Sequence, residues 1–161
     1  MTGRANLING RLVRGLTLWR PWPWAFVHAG KRIENRDWPA PKWMIGGYLA
    51  LHAGKHFDHH ACADMREGLF SAAARACPED KHAHPDSVVF AIAQVTGFYK
   101  LQTPHPRRGK DPFAFGPYVW QTPDVIVLPR PVPCAGKQGL WILPDAVFAQ
   151  VAEQLGKAAV A

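Results

Sequence analysis

The sequence predicts an α+β domain, mainly β, in which a small barrel of short strands carries peripheral helices. Three observations lead there. Apolar residues make up 48% of the 161-residue chain and charged residues 19%, a balance that fills one core. Fourteen glycines and fifteen prolines call for many turns and leave little room for long helices. The apolar segments are mostly short, β-branched or aromatic runs bounded by turn residues, which is the pattern of strands joined in sequence.

Taken in order, residues 1–14 read as a loosely ordered arm, and the domain proper is expected over 15–157, closing helix included. Gly15 to Trp19 alternates enough for a short strand, and Pro21 holds Arg20 extended and ends it. Pro23 suits the first turn of a short helix through Trp24, Phe26 and Val27, with Gly30 as its stop. Lys31 to Arg36 reads as extended, followed by the Trp38-Pro39-Ala40-Pro41 connection and a strand over Gly47 to Ala53. Phe57, Ala61, Met65, Leu69, Ala72 and Ala76 recur at helical spacing and predict a helix over 57–76, ended by Cys77-Pro78. Val88 to Tyr99 reads as one long strand, and Thr103 to Pro112 as a basic loop holding Arg107, Arg108 and Lys110. Three short strands follow, over Tyr118–Trp120, Val125–Leu128 and Leu140–Leu143. Pro144 to Leu155 is an amphipathic helix that buries Val147, Phe148, Val151 and Leu155.

A formal charge of +7 and a pI near 9.7 favour an anionic partner, with nucleic acid first and an acidic protein or a membrane surface behind it. No run approaches the ~20 apolar residues that span a bilayer. The first residues carry arginines and no apolar run of the signal-peptide kind. Cys62, Cys77 and Cys134 are an odd number at no framework spacing. A reducing cytoplasm is therefore the expected compartment, with no membrane and no protein partner.

The densest functional signal runs from Trp19-Arg20-Pro21-Trp22 to Lys31-Arg32-Ile33-Glu34-Asn35-Arg36-Asp37-Trp38. Arginine holds phosphate in a fork and stacks on bases, and tryptophan offers a base a flat face, so aromatic and cationic residues interleaved here suit a nucleotide. The same residues also suit core tryptophans beside a solvated strand face. On an extended strand Arg32, Glu34 and Arg36 share one face, which puts Glu34 between cations. Lys31 joins that face only if the turn at Gly30 rotates it back.

These residues resemble the ASCH family. The family signature is a Gly-x-Lys-x-x-Glu-x-Arg segment between its first helix and the next strand, and Lys31, Glu34 and Arg36 match the last three positions. Ala29 replaces the first glycine, with Gly30 one place on. Gly47 to Ala53, Val88 to Val95, Phe115 to Trp120 and Gly136 to Trp141 also resemble family segments, so the likeness covers roughly 16–143. It implies a PUA-like barrel with a cleft against the first helix, whose expected ligand is RNA or a modified nucleoside, single-stranded nucleic acid included. It also implies an alternative, since some members resemble hydrolases that cleave RNA or remove the acetyl group of N4-acetylcytidine. Lys31 matches the lysine of that amidohydrolase subgroup, but Glu34 stands where its threonine would be, and the motif does not place its distant acid.

The expected ligand-binding residues are Arg20, Trp22, Lys31, Arg36, Trp38, His52, Lys55 and Trp120, with Trp120 and Trp141 fitting core or cleft floor alike. If the cleft is catalytic, Lys31 acts as base or nucleophile, its pKa lowered among Trp19, Trp22 and Trp38, and Glu34 orients it or activates water. A plain ion-pair network fits the same residues. Lys31→Ala is then expected to abolish hydrolysis and leave the fold intact. His56 and His60 have i, i+4 spacing, yet without a Cys-x-x-Cys or His-Glu-x-x-His pattern no metal or other cofactor is expected.

Overall fold

The computed structural model describes residues 6–102 and 111–156. Its first strands begin where an arm was expected. β1 (Leu7–Ile8) pairs antiparallel with β2 (Arg11–Arg20) across Asn9-Gly10, whose φ values of 51° and 74° are those a two-residue hairpin turn requires. Val13 is wholly buried, and the Asn6 amide donates to the Leu143 carbonyl at 3.1 Å, so residues 6–14 belong to the domain.

The chain is α+β and mainly β, with a larger sheet that curls into a half-barrel and, among the described residues, three α-helices beside it. The larger sheet holds β1, β2, β4 (Tyr48–Phe57), β5 (Val88–Gln94) and β8 (Val125–Pro133) in that order, with β9 (Leu140–Trp141) added to β2. The β2–β4 pair is parallel, and it is the stretch between them that carries α1 (Trp22–His28) and β3 (Ile33–Arg36). A second sheet is formed by β3, β7 (Tyr118–Gln121) and β6 (Gly97–Lys100), all antiparallel. Two further helices are α2 (His59–Arg66) and α3 (Asp145–Gln154).

β5 is the centre of the core. Its burial is continuous from Val89 to Ala93 because both faces of the sheet are covered, which explains a run of apolar residues without alternation. Val89 and Ile92 pack towards Trp141, Val147 and Val151 under α3, while Phe90 and Ala91 pack with Phe26, Leu51 and Trp120 under the smaller sheet. Each such large apolar side chain contributes roughly 1.5–3 kcal/mol on burial. Gly15 leaves room for the Trp141 indole, into which a Cβ there would run. β8 carries three prolines and lies at the sheet edge, where missing N–H groups cost nothing. The Gln154 side chain then accepts from the Arg130 N–H and donates to the Arg130 carbonyl, both at 2.8 Å, capping part of that edge.

Two long elements are shorter than the periodicity predicts. The helix expected over 57–76 is only α2, followed by a separate 3-10 turn at Ala73–Ala76. Phe57 belongs to β4, Asp58 caps α2 by accepting from the Ala61 N–H at 3.0 Å, and Gly68 with φ 83° turns the chain out of the helix. The strand expected over 88–99 breaks after Gln94, and β6 joins the other sheet. Most of the basic loop expected over 103–112 lies outside the described residues.

Candidate functional site

Lys31, Glu34 and Arg36 converge. Ala29 caps α1, Gly30 takes a left-handed φ of 69°, and the Lys31 N–H turns back onto the Ala25 carbonyl at 3.1 Å. That turn is the rotation that brings Lys31 to the Glu34 side of the strand. Its Nζ donates to Glu34 Oε2 at 3.0 Å and to the Ile33 carbonyl at 2.6 Å. The Phe26 and Trp22 rings lie 4.3 and 5.3 Å away, as cation–π partners. Arg36 approaches Glu34 from the other side, its Nε 3.6 Å from Oε1, and anchors Nη2 on the Thr17 carbonyl at 3.1 Å. Glu34 thus does sit between two cations, but these are Lys31 and Arg36; Arg32 donates instead to the Phe26 and Lys31 carbonyls.

Burial pushes the Lys31 amine below its ordinary value, and the charge of Glu34 opposes that push. The lysine is 1% exposed, so its charge is held by these partners and not by water. Together Trp19, Trp22, Lys31, Glu34, Arg36 and Phe115 line a hollow of about 170 Å³. Asn35 shapes its far wall, accepting from the Phe115 and Gly116 N–H groups and donating to the Phe113 carbonyl, each at 2.9 Å.

The hollow opens onto a larger groove of about 1030 Å³. Thr17, Trp19 and Arg36 line both spaces. The groove runs between the end of β4, with Lys55, and the segment 134–139 that joins β8 to β9, with Lys137. Its charged lining is Arg36, Lys55 and Lys137 against Asp37, so an anion is favoured along it. Trp19 is 57% exposed at the junction, its ring 4.2 Å from that of His56.

Three of the expected ligand contacts line neither space. Arg20 is buried, its guanidinium donating to the carbonyls of Lys55, Lys81 and His84 at 2.6–2.9 Å, where it ties β2 to β4 and to the 81–84 turn. Trp120 is wholly buried in the core, and its indole N–H donates to the Trp38 carbonyl at 3.1 Å. Trp38 packs edge-on against Trp120, 4.7 Å between centroids, and does not line the hollow. Trp141 is core as well. Of the three tryptophans expected around Lys31, only Trp22 touches its amine.

His52 walls the groove without offering it a free nitrogen. Its Nε2 donates to the Cys134 carbonyl at 2.6 Å, and its Nδ1 accepts from the Thr17 hydroxyl at 3.2 Å, an arrangement that suits the neutral ring. Gly136 closes over this pair: a Cβ there would lie 2.6 Å from the His52 ring and 2.7 Å from Thr17 Oγ1. Burial pushes His52 down, while the bond to Cys134 works the other way. The unfolded chain therefore takes up a proton near pH 6.5 that the folded chain resists, so stability rises with pH below that value. Urea midpoints are expected to fall between about pH 7 and about pH 5, and to fall less in His52→Gln. An identical fall in both proteins would assign the effect to another group.

Groove residues that the sequence did not single out as ligand contacts include Thr17, Trp19, Asp37 and the 134–139 segment. The last carried a visible signal in Gly136-Lys137-Gln138-Gly139, a basic residue between glycines, but its placement opposite Lys55 depends on β2, β4 and β9 being neighbours. The described residues hold no group of three or more His, Cys, Asp or Glu side chains placed to bind a metal ion. No helix among them is long and apolar enough to cross a membrane. No family model matches the chain, and no curated protein matches it.

Proposed function

We propose that this chain is an ASCH-like domain of PUA-like type that binds single-stranded RNA, laying the backbone along the groove and one nucleotide against the hollow. The observation that carries this reading is the continuity of the two spaces through Trp19 and Arg36. The hollow, at about 170 Å³, is below the roughly 300–1,000 Å³ of sites that enclose a whole small molecule, while the open groove matches the upper end. A polymer that lies in the groove and turns one group into the hollow uses both. Arg36, Lys55 and Lys137 then meet phosphates, and the exposed face of Trp19 stacks on a base. The signature match at Lys31, Glu34 and Arg36 supports the same reading.

Fluorescence anisotropy with a labelled single-stranded RNA tests it. Trp19→Ala removes one stacking face and is expected to weaken binding roughly 5- to 150-fold, the range for about 1–3 kcal/mol per stacked base. Because Trp19 is exposed, the fold is expected to be unaffected. Equal affinities for the two proteins would remove Trp19 from the interface.

The buried Lys31–Glu34 pair favours a second reading, hydrolysis of RNA or of an acylated nucleoside such as N4-acetylcytidine. For the acyl substrate, Glu34 would take a proton from water attacking the acyl carbon, and the Lys31 ammonium would hold the developing oxyanion. Mass analysis of both substrates after incubation distinguishes the readings. Products that disappear in Glu34→Gln establish the enzyme, and binding without products leaves the binding module.

A further inference from the structure

A second reactive group lies away from the groove, in the core cluster beneath α1 and α2. Cys62 sits on α2, and Cys77 follows the 73–76 turn, so the two belong to separately wound segments joined through Gly68. Their sulfurs are 3.9 Å apart, and both also approach the Pro78 carbonyl, at 3.4 and 3.8 Å. The approach is held from outside by Arg66, which donates to the Cys77 carbonyl at 2.7 Å. Cys77 is wholly buried. Cys62 is buried too, at 3% exposure, but it lines a surface cavity of about 320 Å³ with His59, Arg66 and two glutamates as neighbours.

We propose that Cys62 and Cys77 form an oxidisable dithiol that closes to an intramolecular disulfide, with Cys62 meeting the oxidant and Cys77 resolving it. The proposal is independent of RNA binding. With hydrogen peroxide as oxidant, the Cys62 thiolate attacks one oxygen, the O–O bond breaks, and hydroxide leaves, giving a sulfenic acid at Cys62. The Cys77 sulfur then attacks that sulfenic sulfur, the S–O bond breaks and the oxygen leaves as water. Two thiols and one peroxide become one disulfide and two waters, with both electrons passing to the peroxide. The order of attack follows from access: burial pushes both thiols up, Cys77 to about 12, and Arg66 opposes that push at both.

The cross-link would close the loop that contains Phe70. The Phe70 ring packs edge-on against Trp22 at 5.3 Å and stacks on Phe113 at 5.8 Å. Oxidation therefore tightens the segment behind the Trp22 wall of the hollow.

The test uses the full chain carrying Cys134→Ser, so that the third thiol is removed. Peroxide is added to the folded protein, and intact mass, peptide mapping and thermal unfolding are read. The expected result is a loss of about 2 Da, a Cys62–Cys77 peptide, and a rise in Tm of roughly 5–10 °C that a reducing thiol reverses. Cys62→Ser and Cys77→Ser should each lack all three. If either variant fails to fold, mapping of the Cys134→Ser protein decides alone. Oxygen added to Cys62 without the mass loss, or a disulfide formed only in urea, would overturn the proposal.

Discussion

Replacing Lys31 with methionine is expected to lower folding stability by about 3 kcal/mol, chiefly through the carboxylate it leaves behind. The Glu34 side chain is 11% exposed and takes its one ion-paired hydrogen bond from Lys31. Methionine matches the lysine stem and keeps the contacts with Phe26 and Trp22, so lost packing is a small part of the effect. Arg36, 3.6 Å from the other carboxylate oxygen, still screens Glu34, which places the loss at the lower end of the range for a broken buried pair. Adding Glu34→Gln removes the stranded charge, and the double variant is expected to recover at least half of the loss. Urea unfolding of the wild type, both single variants and the double variant measures this coupling. A Lys31→Met protein as stable as wild type, or a double variant whose loss is the sum of the singles, would mean that the pair is not coupled. The expectation that Lys31→Ala leaves the fold intact is revised by the same burial: any activity lost in that variant has to be normalised to its folded fraction.

Charge reversal at Lys55 and Lys137 is expected to weaken single-stranded RNA binding at least 25-fold at about 0.1 M salt. Each phosphate contact on a single strand contributes about 0.7 to the slope of log K against log salt, so two contacts contribute about 1.4. Between about 1 M and about 0.1 M salt that slope amounts to roughly 25-fold, and glutamate adds repulsion to the lost attraction. Both lysines are exposed on opposite walls of the groove, so stability should hardly change. A variant that keeps the wild-type slope would show that phosphates lie elsewhere.

Local signals in this sequence reported local structure well. Pro23 and Gly30 bound α1, and the Lys31–Glu34–Arg36 spacing led to the cluster because three side chains within six residues need only one turn to meet. The Asn9-Gly10 turn was equally legible and would have shown that the sheet begins at Leu7; the polar residues around it obscured the strands. The helical spacing of Phe57 to Ala76 misled because Gly68 interrupts it, and the apolar positions beyond that glycine serve a separate turn. Arg20 and Trp120 could be placed only by tertiary structure. Their residue types suit a nucleic-acid surface, yet three carbonyls, one from β4 and two from the 81–84 turn, hold Arg20, and two sheets enclose Trp120. The groove was hidden for the same reason, since its walls lie about eighty residues apart in the chain and meet only through sheet order.

The most direct test of the groove is a titration of ¹⁵N-labelled protein with a short single-stranded RNA, following backbone amide and indole resonances. Saturable shifts at the Trp19 indole, at Lys55 and along residues 134–139 are expected, while the Trp43 indole, which is equally exposed but lines neither space, stays in place. Shifts centred on Trp43 or on the exposed Ile126 and Val127 of β8, with Trp19 unmoved, would contradict RNA binding in this groove.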